Sequence, residues 1–228
     1  MAPVQRRMAL APLAEARQTH PDPPPWTAIF TKGFALMAQE TPILRRVYFR
    51  FPIARVHEYA QSTAAVAVER IIDGEAVVAP LLIRNPAALR VEVIGRRIRN
   101  AKTADIATVA EFRRAHRLAM LPWFLRRPAL WTAYNSAALR AEVFGTFGVS
   151  VIVSDGGELL NLITPQPTAL TYGPFSSDWT IDVRIMFDHR LVDAAPIARA
   201  LLLLEQTLNG PVAEELRVLR AKPRARAL

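Results

Sequence analysis

Toward the C-terminal end of the chain His189 is followed four residues later by Asp193, within Phe187-Asp188-His189-Arg190-Leu191-Val192-Asp193-Ala194. A histidine changes charge near neutral pH, so one ring nitrogen can accept a proton while a carboxylate steadies the other. That is the chemistry of a general base. Of the other histidines, His20, His57 and His116 are dispersed, with neither an H-E-x-x-H pattern nor a glycine-rich phosphate loop. A histidine in front of a helix is also a common structural residue, so spacing alone leaves both readings open.

The elements around His189 would hold it on a rigid edge. Trp179, Ile181, Val183, Ile185 and Phe187 alternate with Thr180, Asp182 and Arg184, the pattern of a half-buried strand. Pro196 then fits the first turn of a helix whose buried stripe is Ile197, Ala200, Leu201, Leu204 and Leu208, with Gly210 as its expected stop.

Upstream, residues 6–18 read as a helix with Leu10, Leu13 and Ala14 on one side. Pro21, Pro23, Pro24 and Pro25 enforce an extended arm. Helical spacing resumes over 26–39 through Ile29, Phe30, Phe34 and Met37, and Pro42 ends it. Residues 47–56 read as extended. Segments 63–72 and 75–83, rich in Val and Ile around Asp73-Gly74, predict a hairpin with a tight primed turn. Asn85-Pro86 opens a helix running to about Ala101, and a second helix covers 104–120.

Between 120 and 139, Pro122, Trp123, Phe124, Leu125, Arg126, Arg127 and Pro128 fit either core packing around a kinked helix or contact with an acyl chain or membrane surface. Residues 143–153 are β-rich, Asp155-Gly156-Gly157 is a turn, and 159–163 and 168–172 flank Pro165-Gln166-Pro167. The tail at 217–228 carries five basic residues and reads as a solvated end.

The composition narrows the chemistry. With no cysteine, thiolate nucleophiles, disulfides and cysteine-bound metals are excluded. At 51% hydrophobic and 21% charged residues, the chain has material for a substantial core. No apolar run is long enough to span a bilayer and the N-terminus does not read as a signal peptide, so a cytoplasmic location is the default. A net charge of +9 favours anionic partners. The basic residues are scattered without a nucleic-acid motif, so no nucleic-acid role is expected.

Asp188-His189-Arg190-Leu191-Val192-Asp193 resembles the D-H-R-x-x-D-G signature of the acyltransferase (E2) catalytic domains of 2-oxo acid dehydrogenase complexes, which share the chloramphenicol acetyltransferase fold. Further matches lie upstream in the expected order. Gly145-Thr146-Phe147-Gly148-Val149-Ser150 is similar to that family's G-T-F-T-I-S segment, and Ile163-Thr164-Pro165-Gln166-Pro167 with Ala169-Leu170 to its I-N-P-P-Q-x-x-I-L segment. The hairpin from Ala64 to Ile83 and the pair Arg6-Arg7 also have counterparts, so the likeness runs over roughly residues 5–210.

The resemblance implies an α/β fold, a mixed β-sheet flanked by helices, in one catalytic domain over 1–228 with an N-terminal helix and Pro-rich arm at 1–25 and a basic tail at 211–228. It implies trimers, or larger assemblies of trimers, with the site in a channel between subunits. His189 would be the general base for an acceptor attacking an acyl thioester, and Ser150 of a neighbouring subunit would hydrogen-bond the oxyanion. Asp193 would brace the loop, paired with Arg6 or Arg7. The donor would be a coenzyme A thioester or an acyl carrier protein, with no metal and no lipoyl group on this chain.

This sequence departs from the family pattern in three places: Ala194 replaces the glycine after the aspartate, and Gly148 and Val151 replace a threonine and an asparagine near Ser150. If Ala194 needs positive φ, alanine costs about 1 kcal/mol there. These departures motivate the alternative, a degenerate core serving as an oligomeric scaffold.

Overall fold

A computed structural model describes residues 1–72, 74–105, 108–151 and 160–221. The expected turn at 155–157, the ends of the strands expected at 143–153 and 159–163, and the tail from 222 lie outside them, as does Asp73.

A mixed six-stranded sheet is flanked by helices, with strand order β1-β8-β7-β6-β4-β5. Its strands are β1 (Ala2–Ala9), β4 (Thr63–Ile72), β5 (Glu75–Arg84), β6 (Phe147–Val149), β7 (Thr168–Tyr172) and β8 (Thr180–Phe187). A separate two-stranded ribbon joins β2 (Arg46–Phe49) to β3 (Arg55–Glu58). The central β6 runs parallel to both β4 and β7. Central strands are covered on both sides: all five residues of β7 and the last five of β8 are buried.

The first strand is a correction. Residues 2–9 pair antiparallel with β8, Arg6 lying opposite Val183, and the helix α1 is confined to Ala11–Gln18. Side chains of β1 alternate between half-buried and exposed along most of its length, the period of a one-sided edge strand. The hairpin β4–β5 forms as expected, in register from Thr63↔Arg84 to Ile72↔Glu75.

The core sits between the sheet and two helices, α2 (Trp26–Glu40) and α7 (Ala194–Thr207). Ten residues of α2 are buried, which exceeds an amphipathic stripe and marks a helix enclosed by neighbours. Phe30 stacks on Tyr172 at 4.2 Å and Phe34 on Phe147 at 4.3 Å, fastening α2 to β7 and β6. Lys32 lies in this apolar setting, so its ammonium must find partners. It donates to the carbonyls of Ala87 at 2.6 Å and Leu89 at 2.7 Å, and lies 3.7 Å from Glu215. Glu215 in turn accepts from the Val91 amide at 2.7 Å, at the start of α3 (Val91–Thr103).

Helix α7 does not stop at Gly210. A π-turn over Leu208–Val212 carries the chain into α8 (Ala213–Ala221), whose Leu216 is fully buried. The remaining helices are α4 (Ala110–Met120), α5 (Trp123–Asn135) and α6 (Ala137–Phe144). Here the core-packing reading of 120–139 fails for most of its large side chains, because Met120, Trp123, Phe124, Leu125 and Trp131 are exposed. Pro128 lies inside α5. The β-rich reading of 143–153 also shrinks: Ser136 caps α6 by accepting from the Leu139 amide, and α6 runs through Val143 and Phe144 before the three residues of β6. Gly145 makes the turn between them at φ 78°, where an added Cβ would lie 2.9 Å from the Thr63 carbonyl.

Candidate active site

Strand β8 ends at Phe187, and the turn that follows is fastened from both sides. The Asp188 amide donates to the Pro167 carbonyl at 2.9 Å, and the Leu191 amide to the Asp188 carbonyl at 2.9 Å. Arg190 grips the Asp188 carboxylate with a two-pronged contact, Nε to Oδ1 at 2.9 Å and Nη2 to Oδ2 at 2.6 Å. These bonds hold the Asp188 carboxyl below its ordinary pKa. The Arg190 guanidinium also lies 4.9 Å from the Tyr48 ring centre. His189 therefore sits on a tied turn, its ring centre 5.5 Å from that of buried Phe187.

Asp193 is the N-cap residue of α7, but its side chain makes no capping hydrogen bond. The carboxylate faces His189 instead, Oδ1 lying 3.5 Å from Nδ1. Both side chains are open to solvent, 62% exposed for His189 and 84% for Asp193. The pairing of Asp193 with Arg6 or Arg7 is not formed. Arg6 pairs with Glu205 at 2.7 Å, and Arg7 bonds Thr180 and Ser176, because β1 lies alongside β8 with these arginines opposite Val183 and Asp182.

The strain expected at Ala194 is also absent. Ala194 is the first residue of α7, and among the described residues only Asn85 and Trp179 are non-glycines at positive φ. At Gly148 an added Cβ would meet Ala169 Cβ and Gln166 Oε1 at 3.4 Å, ordinary contact distance. The neighbouring Gln166 side chain donates to the Phe144 carbonyl and accepts from the Thr164 hydroxyl.

Ser150 follows β6, its amide donating to the Leu170 carbonyl at 3.1 Å. The register separates it from His189. Phe147 is level with Thr168 and Thr168 with Phe187. Ser150 lies three residues beyond that level one way and His189 two residues the other way, roughly 16 Å apart along the strands. Within one chain the structure brings His189 to Asp193 and leaves Ser150 roughly 16 Å away along the strands.

Two pockets flank the α5–α6 pair. One, of about 710 Å³, is lined mainly by apolar side chains, among them Pro80, Leu82, Leu118, Leu130, Val143 and Phe144, with Arg114, Arg126 and Glu142 also contributing. The other, of about 270 Å³, is polar and includes Tyr134, Arg140, Thr164, Gln166, Asp188 and Arg190. The Tyr134 and Phe144 rings, one in each lining, meet edge to face at 5.9 Å. Arg140 was not a sequence candidate. An arginine on a short helix reads as a solvated charge, and only the nearby proline break at 165–167 marks the region. Among the described residues no cluster of three His, Asp or Glu side chains could hold a metal ion, and no helix is long and apolar enough to cross a membrane.

No protein-family model matches the sequence, and no curated protein matches it significantly. Solved structures do match. A probable dihydrolipoamide acetyltransferase from Listeria monocytogenes 4b F2365 is 16% identical, with 92% of this chain and 84% of that one covered at a TM-score of 0.63. The dihydrolipoamide acetyltransferase of Azotobacter vinelandii, whose catalytic mechanism was investigated through a serine, a histidine and an asparagine, is 15% identical over 93% of this chain and 82% of that one, at a TM-score of 0.57. A chloramphenicol acetyltransferase is 11% identical over 91% of this chain and 87% of that one, at 0.58. At such identities the likeness is one of architecture: the chain has the fold of the dihydrolipoamide and chloramphenicol acetyltransferases.

Proposed function

We propose that this protein is an acyltransferase that moves an acyl group from a thioester, of coenzyme A or of an acyl carrier protein, to an acceptor activated by His189. The observation that carries the reading is the tied turn: His189 is held at the end of β8 with Nδ1 facing Asp193. With Nδ1 turned to the carboxylate, Nε2 is the nitrogen available to take the acceptor's proton. The histidine and asparagine studied in the Azotobacter enzyme are four residues apart, as His189 and Asp193 are.

In the reaction, the acceptor's proton passes to His189 as its nucleophilic atom attacks the thioester carbonyl. Negative charge gathers on the carbonyl oxygen, where Ser150 of a neighbouring subunit would donate a hydrogen bond. Collapse expels the donor thiolate, which recovers the proton from His189. Asp193, facing Nδ1 at 3.5 Å, orients the imidazole during the transfer. The wide exposure of His189 and its distance from Ser150 support a site completed between copies of the chain, as in a homotrimer or a larger assembly of trimers. The exposed aromatics of α5 support the same assembly. They would also suit a membrane surface, but burial between subunits accounts for the open histidine as well.

The apolar pocket supports an acyl group or acceptor with hydrocarbon character. A catalytically degenerate scaffold loses its main motive, since Ala194 has an ordinary helical position. The test is mass spectrometry of co-purifying thioesters and of products formed from an acyl-CoA panel. Wild-type protein should yield free CoA and an acylated product, and His189→Ala should yield neither. Equal turnover by both proteins would overturn the reading.

A further inference from the structure

We propose that the polar pocket beside the His189 turn is a binding site for a small oxyanion group, a carboxylate or a phosphate, with Arg140 as its principal ligand. Arg140 is only 6% exposed, yet it lines this cavity of about 270 Å³. Its guanidinium lies between two rings, 4.0 Å from the centre of Tyr134 and 5.5 Å from that of Phe49. Among the described residues, its guanidinium makes one hydrogen bond, from Nη2 to the Pro165 carbonyl at 2.9 Å. Among the described residues no carboxylate pairs with it.

A buried guanidinium without a counter-charge is costly, and it retains donors for a planar, two-pronged partner. The other charged side chains of the lining cancel, since the Asp188 carboxylate is already held by both prongs of Arg190. Among the side chains of the lining, the charge left without a counter-charge is that of Arg140, with Met1 on the cavity wall adding no negative charge. Its size admits a carboxylate or phosphate group and not an entire coenzyme. Asp188 and Arg190, on either side of His189, both contribute to the lining, so a substrate anchored here by its oxyanion lies beside the proposed base. Binding follows from the pocket alone and does not rest on the acyl-transfer reading.

Titration calorimetry on the full chain, at fixed ionic strength in chloride, tests the site with inorganic phosphate and, separately, succinate. At least one should bind saturably at a single site. Phosphate alone would point to a phosphate-bearing substrate, and succinate alone to a carboxylate-bearing one. Arg140→Met should weaken binding about tenfold or more. Arg190→Gln should also weaken it, by freeing the Asp188 charge, whereas Arg126→Gln in the other pocket should not. No saturable binding of either anion, or unchanged affinity in folded Arg140→Met, overturns the proposal. Should that variant fail to fold, unchanged affinity in Arg190→Gln overturns it instead. A protein that turns over thioesters but binds neither anion refutes the pocket and spares the reaction.

Discussion

The helices α2 and α7 and the helices α4 to α6 carry comparable numbers of large apolar side chains, but water reaches them very differently. In the first pair Phe30, Phe34, Leu201 and Leu204 are fully buried, and even Lys32 is drawn in and bonded to backbone carbonyls. In the second group Trp123, Phe124, Leu125 and Trp131 lie open. His189 shares that openness although the turn beneath it is tied down. The first region is complete within one chain. The second has the composition of an interior and the exposure of a surface, which fits a region that another copy covers.

The largest contrast should come from paired substitutions that separate activity from stability. Replacing exposed His189 by alanine should lower acyl transfer by about 10²–10⁴-fold while leaving the unfolding temperature close to wild type. Lys32→Ala should do the reverse, removing about 3–5 kcal/mol of stability in urea unfolding, because Glu215 and two carbonyls lose their buried partner.

A smaller effect separates the regions by pH. Burial pushes the Tyr172 phenol up to about 12, against the partial help that Thr27 and Arg17 give its ionised form. The folded state thus holds this proton more tightly than the unfolded chain, whose tyrosines titrate near 10. Its contribution is fully present below about pH 10 and is lost as pH rises toward 12. Thermal unfolding between these values should show that loss for wild type and a weaker one for Tyr172→Phe. Smallest of all, Trp123→Ser should change the stability of the dissociated chain by less than about 0.5 kcal/mol, while sedimentation shows its assembly weakened.

The same contrast explains what the sequence discloses. Elements whose burial repeats at a regular period are legible: the alternation leading to Phe187, the stripe Ile197 to Leu208 and the Asp73-Gly74 hairpin each predict the element found. Arg6 and Arg7 read as helical because Leu10 and Leu13 set a helical period just after them, while the partner strand that makes β1 lies some 180 residues away. Gly210 reads as a stop, yet the buried Val212 and Leu216 pull the chain on through a π-turn. Residues 120–139 read either as core packing or as contact with an acyl chain or membrane surface, because large apolar side chains predict burial without saying against what. At the site, His189 and Asp193 are legible through their four-residue spacing. Arg140 is not, since nothing local distinguishes a buried guanidinium from a solvated one.

The proposed pairing of His189 of one subunit with Ser150 of another rests on their separation of roughly 16 Å along the strands of one chain. Mixing separately inactive His189→Ala and Ser150→Ala proteins, dissociating them and allowing them to reassemble tests it directly. In randomly mixed oligomers about a quarter of the interfaces would combine an intact histidine with an intact serine. Thioester consumption should then recover toward that fraction of the wild-type rate. A reassembled mixture no more active than its two components would contradict the account.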